Sequence, residues 1–141
     1  NGGLCSDGGS EESEALRGTS GPDVCRGEGG DDDLEGAGGS DKLFGGDGND
    51  RIFGRFGNDF MMGGAGNDEI EGGRGNDTMD GGDGDDLING GYGRDRINAG
   101  PGNDKVNAGW GERGEIVDCG PGYAIAIRGP GDRYRNCEVV K

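Results

Sequence analysis

The sequence predicts an all-β solenoid of stacked coils, with two nine-residue units in each coil. Three observations carry that prediction. Glycine supplies 38 of the 141 residues. Aspartate recurs at every ninth position from Asp23 to Asp104, with no gap or insertion. The second residue after each of these aspartates is apolar or a cysteine, from Cys25 through Leu34, Leu43, Ile52, Met61, Ile70, Met79, Ile88 and Ile97 to Val106.

Each unit reads as a six-residue turn followed by a three-residue strand. Glycine gives tight turns the dihedrals that other residues resist, and it stands two positions before every aspartate of the series, from Gly21 to Gly102. The strand turns one side chain inward, which accounts for the single obligatory apolar position per unit. Two units close a flattened coil, and successive coils pair as parallel strands about 4.8 Å apart. Ten units give about five coils, a stack of roughly 24 Å by that spacing. Contact limited to neighbouring units is the mark of a repeat architecture.

Other glycine-rich structures fail on phase or charge. A random linker needs no phase, and collagen needs glycine at every third position. A helix–loop–helix calcium loop wants glycine at its sixth position; a loop begun at Asp47 or Asp83 puts Ile52 or Ile88 there. A loop that cradles phosphate would here be ringed by carboxylates.

Composition sets the class of partner. Only 28% of residues are hydrophobic, too few for an ordinary globular core, and the net charge is −15. A polyanion is a poor partner for nucleic acid or an anionic membrane surface, and cations become the expected ligands. No apolar run approaches the length of a membrane span. Nothing in the sequence singles out a protein or glycan partner.

The coil geometry sorts the aspartates into two columns, because successive units turn on opposite edges. Asp23, Asp41, Asp59, Asp77 and Asp95 form one column, and Asp32, Asp50, Asp68, Asp86 and Asp104 the other. Like charges repeating at about 4.8 Å repel one another. Ca²⁺ accepts six to eight oxygen ligands, carboxylate and carbonyl alike, and relieves that repulsion; Mg²⁺ demands a stricter octahedron and holds its water. Ten inward side chains are a small return for ordering about ninety mostly polar and glycine residues, so the fold is expected to need the ion, which binds the folded form alone.

The stretch "GGAGNDEIEGGRGNDTMDGGDGDDLIN" at 63–89 resembles the calcium-binding nonapeptide of RTX (haemolysin-type) proteins, GGxGxDxUx. The resemblance spans residues 18–107 and implies a right-handed parallel β-roll. It also implies ions held between two turns on one edge, by aspartate oxygens and backbone carbonyls. On that reading the ten aspartates are metal ligands. The carbonyls implied are those of Gly45, Gly46, Asp47 and Gly48; Gly63, Gly64, Ala65 and Gly66; Gly72, Gly73, Arg74 and Gly75; and Gly81, Gly82, Asp83 and Gly84. Asp68 and Asp86 would flank one ion. Five aspartates per column leave four gaps, hence about eight calcium ions.

Several units depart from the motif. Thr19, Glu28, Ala37 and Arg55 stand at its second position, Arg94 takes the small polar place, Ala99 replaces the first glycine and Pro101 enters the next spacer. The best sites are therefore expected within 45–53 and 63–89. An eleventh unit is expected to decay where Arg113 replaces the aspartate.

The ends read as covers for an open stack. Residues 1–17 form an acidic N-terminal segment in which "EESEAL" (11–16) reads as one helical turn. Residues 108–141 concentrate Trp110, Ile116, Val117, Tyr123, Ile125, Ile127, Tyr134, Val139 and Val140, with "YAIAIR" (123–128) as a strand between glycine–proline turns. The cysteines fall as two near pairs, Cys5 with Cys25 and Cys119 with Cys137. Four cysteines allow three connectivities; the two local disulfides are expected, with four free thiols as the alternative. The frame "DCGPG…NCE" is similar to the terminal segment of secreted bacterial calcium-binding repeat proteins, which makes 108–141 a small disulfide-pinned cap.

With no histidine, no Ser–His–Asp set and little interior for a pocket, an enzyme is not expected. Disulfides would place the chain in an oxidising, extracellular compartment, and the sequence starts at Asn1 without a methionine or signal-like apolar run, so any export signal has been removed or was never included. The expected function is multiple calcium binding with calcium-induced folding after export. The alternative is the calcium-folding C-terminal portion of a larger secreted enzyme, toxin or adhesin.

Overall fold

The computed structural model describes Cys5 and residues 10–109, 114–122, 124–127 and 131–140. Its described residues form strands joined by turns, in two parallel sheets with one line of side chains between them. The first sheet holds β1 (Ala15–Arg17), β3 (Asp33–Glu35), β5 (Arg51–Phe56), β7 (Glu69–Arg74), β9 (Leu87–Tyr92), β11 (Lys105–Asn107), β13 (Ile125–Ile127) and β15 (Glu138–Val140), in that order. The second holds β2 (Val24–Arg26), β4 (Lys42–Asp47), β6 (Phe60–Ala65), β8 (Thr78–Asp83), β10 (Arg96–Asn98), β12 (Ile116–Asp118) and β14 (Arg133–Arg135). The chain alternates between the sheets at every turn, so each strand pairs with the next but one. This is the expected parallel β-solenoid of two units per coil.

Register follows the inward side chains. Leu16 pairs with Leu34, then Ile52, Ile70, Ile88 and Val106. Cys25 pairs with Leu43, then Met61, Met79 and Ile97. All of these side chains are buried. Alternation along a strand sends neighbours outward, and the typical pattern of exposed, buried, half-buried residues repeats from strand to strand.

The strands differ from expectation in length. Those between residues 42 and 92 run six residues, not three, because the second and third turn positions also pair, as in Gly46 with Gly64 and Asp47 with Ala65. The second position is left-handed there, with φ of 96° at Gly46 and 95° at Gly73. Arg55, Ala37 and Glu28 hold the same place at 77°, 74° and 75°, a conformation that costs an L-residue roughly 1–2 kcal/mol.

The ends use the same strands. "EESEAL" is not a helical turn: Ala15 and Leu16 enter β1, and Ser10 bridges Glu28 in parallel. Extended backbone wins because Leu16 has a buried place above Leu34. Residues 108–141 continue both sheets through β12–β15, with changed spacing: Ile97 pairs with Val117 and Val106 with Ala126, a coil two residues longer than those before it. Cys5–Cys25 and Cys119–Cys137 form disulfides. Trp110, Arg113 and Tyr123 lie outside the described residues.

Candidate metal centre

Each turn delivers its aspartate to the base of the following strand, side chain inward. From Asp32 to Asp104 the nine carboxylates are only 1–2% exposed. Asp23, in an outer coil, is half-buried, and its carboxylate accepts hydrogen bonds from the Thr19 amide at 2.6 Å and hydroxyl at 3.0 Å. The two predicted columns form, but they are columns of inward groups.

The two oxygens of each carboxylate lead different lives. Oδ1 accepts from the backbone N–H of the aspartate one coil earlier. Asp50 donates to Asp68 and Asp68 to Asp86 on one edge; Asp59 donates to Asp77 and Asp77 to Asp95 on the other, all at 2.8 Å. Oδ2 of all nine buried aspartates accepts nothing. A buried acceptor left unmade costs about 1–3 kcal/mol, more if it is charged. A row of nine on the same turn position calls for a ligand.

Beside the first glycine of the turn, Oδ2 converges with a backbone carbonyl oxygen. A Cβ placed on Gly72 would stand 2.6 Å from Asp77 Oδ2 and 2.5 Å from the Gly90 carbonyl oxygen; on Gly81 it would stand 2.6 Å from Asp86 Oδ2 and 2.5 Å from the Ala99 carbonyl oxygen. The same convergence of Oδ2 with a first-position carbonyl of the next coil occurs beside Gly45, Gly54 and Gly63, involving the Gly63, Gly72 and Gly81 carbonyls. Two oxygens this near one point fall within reach of one Ca²⁺, whose oxygen ligands sit at 2.3–2.6 Å.

The other carbonyls named from the motif serve the stack. Those of Ala65, Arg74 and Asp83 accept from the amides of Gly48, Gly57 and Gly66 at 3.0 Å. Those of Gly46, Gly64, Gly73 and Gly82 lie against the second glycine of the next coil, and those of Gly48, Gly66, Gly75 and Gly84 against its fourth, where a Cβ would strike them. Asp47 holds an exposed place in line with Ala65. A carbonyl has two lone pairs, so pairing leaves room for an ion. Among the described residues no group of three His, Cys, Asp or Glu side chains gathers to hold a metal. An ion at these turns would therefore be held by one or two carboxylates and completed by backbone oxygens, a donor set suited to a hard cation. The residues present fit calcium.

Burial pushes the carboxyls up, and the amide donated from the preceding coil holds them down. The balance leaves Asp50 and Asp77 at about 6, Asp59 and Asp68 at about 7, and Asp86 and Asp95 at about 8. Asp32, Asp41 and Asp104 are raised for the same reason.

The columns also run further than the ten aspartates. Glu14 stands below Asp32 and donates its amide to Asp32 Oδ1 at 2.7 Å. Glu115, buried, takes the place above Asp95, next to Asp132, with which it shares a hydrogen bond. The turn expected to decay at Arg113 lies outside the described residues, but beyond it Glu115, two residues past the motif's place, stands in the column. The signal was an acid followed two residues later by an apolar one, as in Glu14–Leu16, Glu115–Val117 and Asp132–Tyr134.

A second ladder lies outside the first and runs the other way. Asn67 donates its amide to Asn49 Oδ1, Asp85 to Asn67, and Asn103 to Asp85, at 2.8–2.9 Å. Opposed ladders lock the turn against sliding in either direction.

The profile of the RTX calcium-binding nonapeptide repeat, which spans four copies of the unit, matches residues 8–43, 26–61, 35–70, 44–79, 53–88 and 80–112. No curated protein matches the chain. Repeat motif, solenoid and turn chemistry agree, and the chain belongs to the RTX calcium-binding nonapeptide repeat family.

Proposed function

We propose that this chain is a secreted, non-catalytic calcium-binding β-roll that completes its folding when it meets calcium outside the cell. The single observation that supports this most is the row of nine buried, unpartnered Oδ2 atoms. Without a cation each must be protonated or unsatisfied, and in calcium each gains a ligand role. Bound calcium would supply charge neutralisation and a link between consecutive coils. The chain's own part is to hold each carboxylate by its Oδ1 ladder and to present first-position carbonyls beside Oδ2.

Two disulfides favour an oxidising compartment. Extracellular modules bind calcium at about 10⁻⁴–10⁻³ M, which suits a chain kept unfolded in a low-calcium cytosol. About eight ions, one per gap between aspartates, is the expected stoichiometry under the shared-ion geometry. The carboxylates are committed to the ladders, and with no histidine in the chain no proton shuttle stands beside them.

Calcium titration of the metal-stripped protein, followed by far-UV circular dichroism and calorimetry, tests the reading. A cooperative rise of β signal with uptake of several ions is expected. A stripped sample with full β signal at neutral pH would sink it.

A further inference from the structure

The outer face of the first sheet carries a trench that borders the turns of the Asp23 edge and is lined by their outward side chains. Across β5, β7 and β9, one wall is the register row Phe53, Glu71, Asn89 and the other is Phe56, Arg74, Tyr92. Between them the row Arg55, Gly73, Gly91 closes one end with a side chain and leaves bare backbone as the floor. The cleft encloses about 320 Å³, the low end of the range for small-ligand pockets.

Its chemistry is specific. Phe56 and Tyr92 are 61% and 55% exposed, two coils apart, hence about 10 Å by strand spacing. Between them stands Arg74, whose guanidinium lies 5.7 Å from the Tyr92 ring and has no ion pair among the described residues. Arg55, by contrast, is tied to Glu35 at 3.4 Å and stacks on Phe53 at 5.1 Å. A guanidinium that stacks on one of two exposed rings and has no ion pair among the described residues, in a chain of net charge −15, is matched by a ligand with a flat apolar face and a carboxylate. Stacking takes the face, and the planar fork takes the carboxylate in two hydrogen bonds.

We propose that this trench binds three consecutive units of an acidic glycan built of carboxylated pyranoses, the outer two with their ring faces on Phe56 and Tyr92 and the middle one with its carboxylate on Arg74. Glu71 on the opposite wall is placed for hydroxyl groups. The spacing of the rings, about 10 Å, suits alternate units of an extended chain and exceeds what one sugar ring covers.

The probe is trigalacturonate, compared with its methyl ester, on the full chain in saturating calcium after circular dichroism has shown the β signal. The acid is expected to bind at least tenfold tighter than the ester. Arg74→Gln should abolish that preference, Arg74→Lys should restore part of it, and Phe56→Ala should weaken both ligands alike by threefold or more. Equal binding of acid and ester overturns the proposal. So does an undiminished preference in Arg74→Gln, which would place the carboxylate on bound calcium. Tighter binding of N-acetyltryptophan than of the sugar would assign the trench to peptide and overturn it equally.

Discussion

The two edges of the roll share one turn motif and differ in the charge of their outer side chains. On the edge of Asp32, Asp50, Asp68, Asp86 and Asp104, the turns add Glu28, Asp31, Asp47, Asp83 and Asp85 and no basic residue. On the edge of Asp23, Asp41, Asp59, Asp77 and Asp95, they add Arg55, Arg74 and Arg94, with Phe56 and Tyr92, and no further acid. The inner carboxylates are alike in burial and in their Oδ1 bonds; the difference lies outside them. Two roles thus separate in one repeat. On the proposed calcium reading the inner positions make the site, and the outer positions set the field in which a cation would reach it. The Asp32 edge should load first, and the Asp23 edge later and with stronger dependence on salt.

The largest expected effect comes from removing a carboxylate. Asp68→Ala takes out a proposed ligand and an Oδ1 acceptor in mid-stack, and should raise the calcium midpoint of folding about tenfold, or ~1.4 kcal/mol. Asp77→Ala makes the same deletion on the basic edge and should cost less, since that edge contributes less at the midpoint. Calcium titrations followed by circular dichroism compare them. Equal shifts would break the distinction between the edges.

Acidification is next. An aspartate whose folded pKa lies above its unfolded value binds protons more tightly when folded, so protonation favours the fold. For the metal-free chain, that stabilisation is full below the usual 3.8 and is lost as pH rises through about 6 at Asp50 and about 8 at Asp86. The stripped protein should therefore gain β signal as pH falls from 8 to 5. Calcium affinity should fall over the same window, because ion and proton compete for Oδ2. A circular dichroism series without metal checks the first, and a calcium midpoint at pH 6 against pH 8 the second.

Arg55→Gly follows. It removes a left-handed arginine at φ 77° and should stabilise the folded form by about 1 kcal/mol, seen as a rise in melting temperature. It also takes one positive charge from the Asp23 edge. Arg94→Asn should show the smallest change. Arg94 donates its amide to Asn76 at 2.9 Å, and asparagine would keep that bond while removing charge. About a twofold gain in affinity at the later-loading sites is expected, fading at high salt as exposed charges are screened.

Much of this was legible in the sequence because the period never slips between Asp23 and Asp104. An unbroken period identifies coil, inward position and carboxylate column together. What stayed hidden had local causes. Glu14 and Glu115 were missed because the count was kept on aspartate, and because two inserted residues moved the second acid off phase. The six-residue strands were missed because glycine reads as turn, whereas a left-handed glycine here still pairs with its copy in the next coil. The division of labour between Oδ1 and Oδ2 has no sequence signal: aspartate in phase names a column but not which oxygen is spent on the backbone.

The disulfides carry a consequence for how the roll opens. A one-dimensional array ordinarily peels from its free tips, where each rung has a single neighbour. Here both tips are stapled, Cys5 to Cys25 at one and Cys119 to Cys137 at the other. Under the proposed calcium-linked folding, melting on calcium withdrawal should then begin in the belly of the array, leaving two short seeds from which the middle can re-zip, and a reductant should turn that recoverable process into fraying from the outside.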